Sequence, residues 1–122
     1  MIVTPMPHPE LIYKVATAEA VAAAQARGEF PRMPIDVEDG FVHFSTAAQL
    51  PETLKLHFAG QASLVLLAVR SDDLGEGLIW EPSRGEQLFP HVYGEIAPAV
   101  EAWRAPIAVA ADGTCSLPAA VR

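Results

Sequence analysis

The chain is short of cysteine, of positive charge and of long apolar runs, and each shortage excludes something. It has one cysteine, Cys115, so an internal disulfide is excluded. That usage fits a reducing cytosol, and a cytoplasmic location is the expectation. Cys115 sits in a Gly/Pro-flanked tail with no neighbouring histidine and reads as an incidental thiol. Eight Lys and Arg face fifteen Asp and Glu, for a formal net charge of −7. A sequence-independent nucleic-acid binder needs a basic surface, so that class is disfavoured. Anionic membrane surfaces are disfavoured for the same reason. The longest apolar run, Leu64 to Val69, is far too short to span a bilayer. The N-terminus has no basic region followed by an apolar stretch, so no signal peptide is expected.

Several chemical templates are missing too. There is no Gly-rich phosphate loop and no dinucleotide fingerprint. The Gly-x-Ser-x-Gly elbow is absent, and so is Cys/His zinc spacing. A facial metal triad of His43, His91 and Glu81 is open only because any two histidines and a glutamate satisfy so loose a template. No metal is expected.

What is present suits one domain over residues 1–122, since 122 residues with 51% hydrophobic content can bury a real core. Residues 1–10 read as an extended lead-in with three prolines, and 112–122 as a turn-rich tail. Leu11–Val15 is a strand, with Ile12 and Lys14 on one side and Leu11, Tyr13 and Val15 on the other. Thr17–Arg27 is a helix: Thr17 is a good N-cap, the interior is mostly alanine, and Gly28 stops it. Residues 29–39 read as a loop long enough to cover a cleft. Phe41–Phe44 is the central strand. Thr46 and Gln49 have capping-box spacing before a helix near Pro51, whose Leu50, Leu54 and Phe58 share a face. Ser63–Arg70 is a strand covered on both sides. Leu78–Glu81, the segment around Leu88–Gly94, Glu95–Ala97, Val100–Trp103 and Ile107–Ala110 follow as short strands. Two helices in the first half and many short strands predict an α+β fold, with helices on one face of a mostly antiparallel sheet.

Three clusters carry chemistry. Phe41, His43 and Ser45 alternate onto one side of their strand, where a packing strand would carry Val or Ile. Glu81 follows Trp80; it reads equally as a surface carboxylate paired with Arg84 or as a group binding sugar hydroxyls and supporting positive charge. His91 and Tyr93 alternate beyond Pro90, which biases Phe89 to extended geometry. His57 lies on a helix flank and is given no role.

Taken together, Tyr13-Lys14, the block Asp39 to Thr46 with Gln49-Leu50, Trp80-Glu81, and Phe89-Pro-His-Val-Tyr-Gly94 resemble domain-of-unknown-function family 952 over roughly Leu11 to Pro106. That family has no settled activity but is similar in fold to the ADP-ribosyltransferases, which bind NAD in a cleft of a split antiparallel sheet. The resemblance implies NAD as a substrate. It implies His43 as the ribose and amide contact, Tyr93 or Tyr13 as the ring stacked on nicotinamide, and Glu81 as the catalytic carboxylate. His91 would contact phosphate or the acceptor, and Ser45 would orient ligand or cap the turn. Transferase motifs place the aromatic between the His and the Glu, an order this chain does not follow. The expected function is therefore an ADP-ribosyltransferase-like domain binding NAD or an ADP-ribose-type ligand. The alternatives are a non-catalytic small-ligand module and a metal-dependent hydrolase.

Overall fold

A computed structural model describes residues 9–83, 85 and 87–122. The lead-in before residue 9 and the Arg84 partner considered for Glu81 lie outside the described residues.

Two three-stranded antiparallel sheets build the molecule. The first has β1 (Leu11–Thr17), β3 (Leu64–Arg70) and β6 (Glu101–Ile107), in the order β1-β3-β6. The second has β2 (Val42–His43), β4 (Leu78–Pro82) and β5 (Leu88–Val92), in the order β2-β5-β4. The helices are α1 (Ala18–Arg27), α2 (Pro34–Asp39) and α3 (Leu50–His57). The α+β class with antiparallel pairing holds, with three α-helices among the described residues rather than two.

β3 is central in the first sheet, as its unbroken apolar run requires, because both its faces are covered. One face packs with Ile12, Ala16, Val42, Phe44 and Val92, joining the two sheets. The other packs with Tyr13, Val15, Leu50, Leu54 and Ile107, and the tail contributes Leu117 and Val121. The alternation expected along β1 is what splits Ile12 from Tyr13 between these clusters. α1 forms as its caps dictate: Thr17 Oγ1 accepts from Ala20 N at 3.1 Å, and Gly28 takes the left-handed conformation (φ 68°) that only glycine adopts freely. Thr46 and Gln49 do exchange side-chain and backbone hydrogen bonds, at 3.0 and 3.2 Å, and Pro51 sits in the first turn of α3.

Three expectations are corrected. The supposed loop 29–39 ends in α2, because Asp36 accepts from Met33 N at 2.6 Å and Pro34 pre-sets the first turn. Glu95–Ala97 is irregular rather than a strand, and β6 ends at Ile107. The central strand is also shorter and does more than expected. Val42 and His43 pair with Val92 and His91 of β5. Ser45 then exchanges both backbone hydrogen bonds with Tyr13 of β1, each at 2.8 Å. One extended segment thus leaves the second sheet and joins the first, and the polar residues His43 and Ser45 lie at that seam.

Candidate functional site

A cleft of about 330 Å³ opens at the seam, within the size range of small-ligand sites. His43, Ser45 and His91 line it, with Lys14, Met33 and Ile35 on one side and Thr53, His57, Ser83 and Phe89 among the rest. Its lining differs in composition from the molecule as a whole. Three of the chain's four histidines and one lysine line it, and among the described residues no Asp or Glu does, although the chain carries −7.

The carboxylates stand one row behind. Asp39 Oδ2 is 2.8 Å from His43 Nε2, Glu81 Oε1 is 2.8 Å from His91 Nδ1, and Asp36 Oδ2 is 2.7 Å from Lys14 Nζ. The histidine pair is created by sheet register: His43 lies opposite His91 across β2 and β5, and Ile79 of β4 lies opposite His91 on its other side. The two imidazole centroids are 5.1 Å apart at 69°. Phe41 packs against both, at 4.6 Å from His43 and 4.3 Å from His91, and lies 5.0 Å from Tyr93. One phenyl ring therefore touches three polar rings.

Glu81 receives two hydrogen bonds on the same oxygen, from His91 Nδ1 and from the Tyr93 hydroxyl, both at 2.8 Å. The bond from His91, then that from Tyr93, holds its carboxyl below the usual glutamate range. The same Glu81 contact raises Tyr93, so the phenol keeps its proton and donates. Glu81 is consequently an ionised acceptor, and His91 is held with its proton on Nδ1.

The candidate residues divide by place. His43, Ser45 and His91 border the cleft. Glu81 and Tyr93 join the cluster through His91 and Phe41 on the more exposed side, with Tyr93 40% exposed. Ser45 Oγ shares a hydrogen bond with Thr53 Oγ1 at 3.0 Å. Tyr13 also borders the cleft, but its ring is 1% exposed, packs edge-on to Trp103, and exchanges hydroxyl contacts with the Arg122 backbone. Of the two tyrosines, Tyr93 is the one within the His/Glu cluster. No group of three or more His, Cys, Asp and Glu among the described residues is arranged to hold a metal ion. No helix among them is long and apolar enough to cross a membrane.

Sequence reasoning missed Lys14 and Asp36 as site residues. Lys14 is 3% exposed and Asp36 fully buried. Asp36 Oδ1 accepts from His43 N at 2.9 Å, while Lys14 Nζ donates to His43 O at 3.2 Å. The ion pair therefore grips the His43 peptide at both ends. Burial lowers the Lys14 pKa, opposed by the neighbouring Asp36 carboxylate. The signal available was a lysine alternating with Ile12 and Ala16 on an inward strand face, which demands a buried partner. Nothing in the sequence identified Asp36 as that partner. His57, given no role, lines the cleft.

The family described as Protein of unknown function (DUF952) matches residues 15–102. The chain belongs to that family. Among solved structures, the crystal structure of protein CC0527 from Caulobacter crescentus is 42% identical, with a TM-score of 0.81 over 87% of this chain and 93% of that one. A crystal structure of a double mutant of CC0527 gives the same figures. The solution NMR structure of CC0527 is 43% identical, with a TM-score of 0.75 over 86% of this chain and 90% of that one. No curated protein matches. The DUF952 match spans every residue of the His43/His91/Glu81/Tyr93 cluster and begins just after Lys14.

Proposed function

We propose that this DUF952 protein binds NAD or an ADP-ribose-type ligand in the seam cleft, as an ADP-ribosyltransferase-like domain. One observation carries the reading: in an acidic protein, the cleft is lined by Lys14 and three imidazoles and, among the described residues, by no carboxylate. Such a lining favours a phosphate-bearing ligand, because imidazoles and hydroxyls can donate to anionic oxygens while the carboxylates of Asp36, Asp39 and Glu81 are already engaged by Lys14, His43 and His91. The joining of two three-stranded antiparallel sheets at Tyr13 and Ser45 is also what a split-sheet fold of that type calls for.

In this reading the diphosphate lies against the His-lined wall, and the nicotinamide ribose reaches past His91 toward Glu81. Among the described residues both hydrogen bonds on Glu81 land on Oε1, and in this reading Oε2 takes a ribose hydroxyl. A fixed, ionised carboxylate there supports positive charge developing at the anomeric carbon. Tyr93, exposed beside Phe41, offers the stacking face. His43, its peptide held at both ends, keeps the ribose in place.

The test is titration calorimetry with NAD and with ADP-ribose. Binding of either at millimolar concentration or below, weakened in His43→Ala, is the expected result; no binding of either removes the reading. Glu81→Ala separates an enzyme from a binding module, since an enzyme loses nicotinamide release while retaining ligand.

A further inference from the structure

We infer that His91 as base and His43 as acid form a pair able to hydrolyse small cyclic phosphodiesters of the nucleoside 2′,3′-cyclic phosphate class. This activity uses the same cleft as the NAD-type ligand but breaks a phosphorus–oxygen bond rather than a glycosidic one. It therefore stands or falls separately.

The geometry has three parts. First, both rings border one cleft and lie opposite each other in a strand register, so their separation of 5.1 Å is set by the sheet rather than by flexible loops. Second, among the described residues each ring is held by a carboxylate through one nitrogen: Nε2 of His43 on Asp39, and Nδ1 of His91 on Glu81. A carboxylate accepts and does not donate, so those nitrogens carry hydrogen, and proton transfer falls to His43 Nδ1 and His91 Nε2. A carboxylate behind an imidazole also stabilises the cation formed when that ring takes a proton. Third, Phe41 packs against both rings, at 4.6 Å from His43 and 4.3 Å from His91. Histidines kept only for packing are commonly satisfied by backbone groups; here two neighbouring ones are each oriented by an acid and border the same opening.

The ligand class follows from the cleft. Its imidazole-rich lining offers hydrogen-bond donors to a phosphate, its volume of about 330 Å³ suits a single nucleotide, and a net charge of −7 disfavours a polymer. A five-membered cyclic phosphodiester is strained, so proton transfer at the two oxygens suffices to open it. In the step, a water oxygen forms a bond to phosphorus and its proton passes to His91 Nε2. The bond from phosphorus to one ribose oxygen breaks, and that oxygen takes the Nδ1 proton of His43, which enters the step as the imidazolium and leaves it neutral. One water is consumed, one phosphomonoester forms, and no electron is transferred. The carboxylates stay ionised throughout, and proton exchange with solvent restores both rings.

The test uses adenosine 2′,3′-cyclic phosphate at millimolar concentration with the purified full chain in EDTA, following the monoester by phosphorus NMR. Two variants keep each ring's anchoring contact while removing its working nitrogen. His43→Gln retains a donor for Asp39, and His91→Asn retains a donor for Glu81. The expected result is turnover by the parent protein in EDTA, lowered about 100-fold or more in kcat in each variant with little change in KM. The double variant is expected to be little worse than either single one, as for groups acting together. Melting curves near that of the parent establish that the variants fold. Absence of monoester from the parent, or parental rates in both variants, overturns the assignment. NAD and ADP-ribose calorimetry on the same samples reports on the ligand reading independently.

Discussion

Replacing Asp36 with alanine tests the idea that a buried ion pair, and not the strand alone, positions His43. Asp36 is fully buried and holds three donors: Lys14 Nζ at 2.7 Å, Met33 N at 2.6 Å and His43 N at 2.9 Å. Removing one member of a buried pair costs about 3–5 kcal/mol, because the other charge is left without compensation. Two backbone N–H groups are orphaned as well, each at about 1–3 kcal/mol where water does not reach them. These contributions overlap, since Lys14 can shed its proton, so a loss of roughly 4–6 kcal/mol is expected. That is a large share of the roughly 5–15 kcal/mol of a whole domain. Lys14→Met should be milder, because Asp36 then keeps its two backbone donors and only the ammonium is lost. The sign with pH is also determined. Burial places the folded Lys14 pKa below its unfolded value, so the native state sheds that proton first as pH rises. Stability from this group therefore increases from the folded value up to the unfolded one. The assay is urea denaturation of the parent and both variants, with the His43 amide followed by NMR. A loss under about 1 kcal/mol for Asp36→Ala, or a larger loss for Lys14→Met, refutes the argument.

Two further predictions concern the exposed side of the cluster. Tyr93→Phe removes one of the two donors on Glu81, so the carboxyl should titrate closer to an ordinary glutamate, as read by carbon NMR. The folded Glu81 value is lowered, so its contribution to stability is present above the unfolded value and lost as pH falls through the folded one; the variant should lose part of it. Tyr93 runs the other way: its raised value contributes stability below the unfolded pKa, lost as pH rises through the folded one. Glu81→Gln should therefore let the phenol ionise at lower pH, visible in phenolate absorbance; an unchanged titration refutes the contact. Finally, a Cβ at Gly77 would lie 2.6 Å from Tyr93 O, while Tyr93 N already donates to Gly77 O at 2.8 Å. Gly77→Ala should cost about 1–3 kcal/mol in urea denaturation and shift the Tyr93 resonances; a neutral result shows that the backbone at Gly77 and Tyr93 moves apart easily.

Local signals were legible where neighbouring residues decide the outcome. Thr17 and Gly28 bound α1 because capping involves residues within a turn of each other. Leu64–Arg70 read as a doubly covered strand because burial on both faces leaves no room for polar alternation. Glu95–Ala97 failed for the opposite reason: an extended apolar triplet becomes a strand only if a partner edge is available. α2 was hidden because its N-terminal contact comes from an aspartate whose other ligands, Lys14 and His43, come from β1 and β2.

From its residue order alone, this chain determined its α+β class, the faces of β1 and the alternation that turns His43 to the side of Phe41, because period and capping are local properties. Only the folded chain decided which groups meet. Register across β2 and β5 placed His43 opposite His91, while the crossing at Ser45 and Tyr13 opened the seam between the sheets. Folding also brought buried Asp36 onto Lys14, since a charge drawn from water remains only where a partner compensates it, and that partner is distant in sequence.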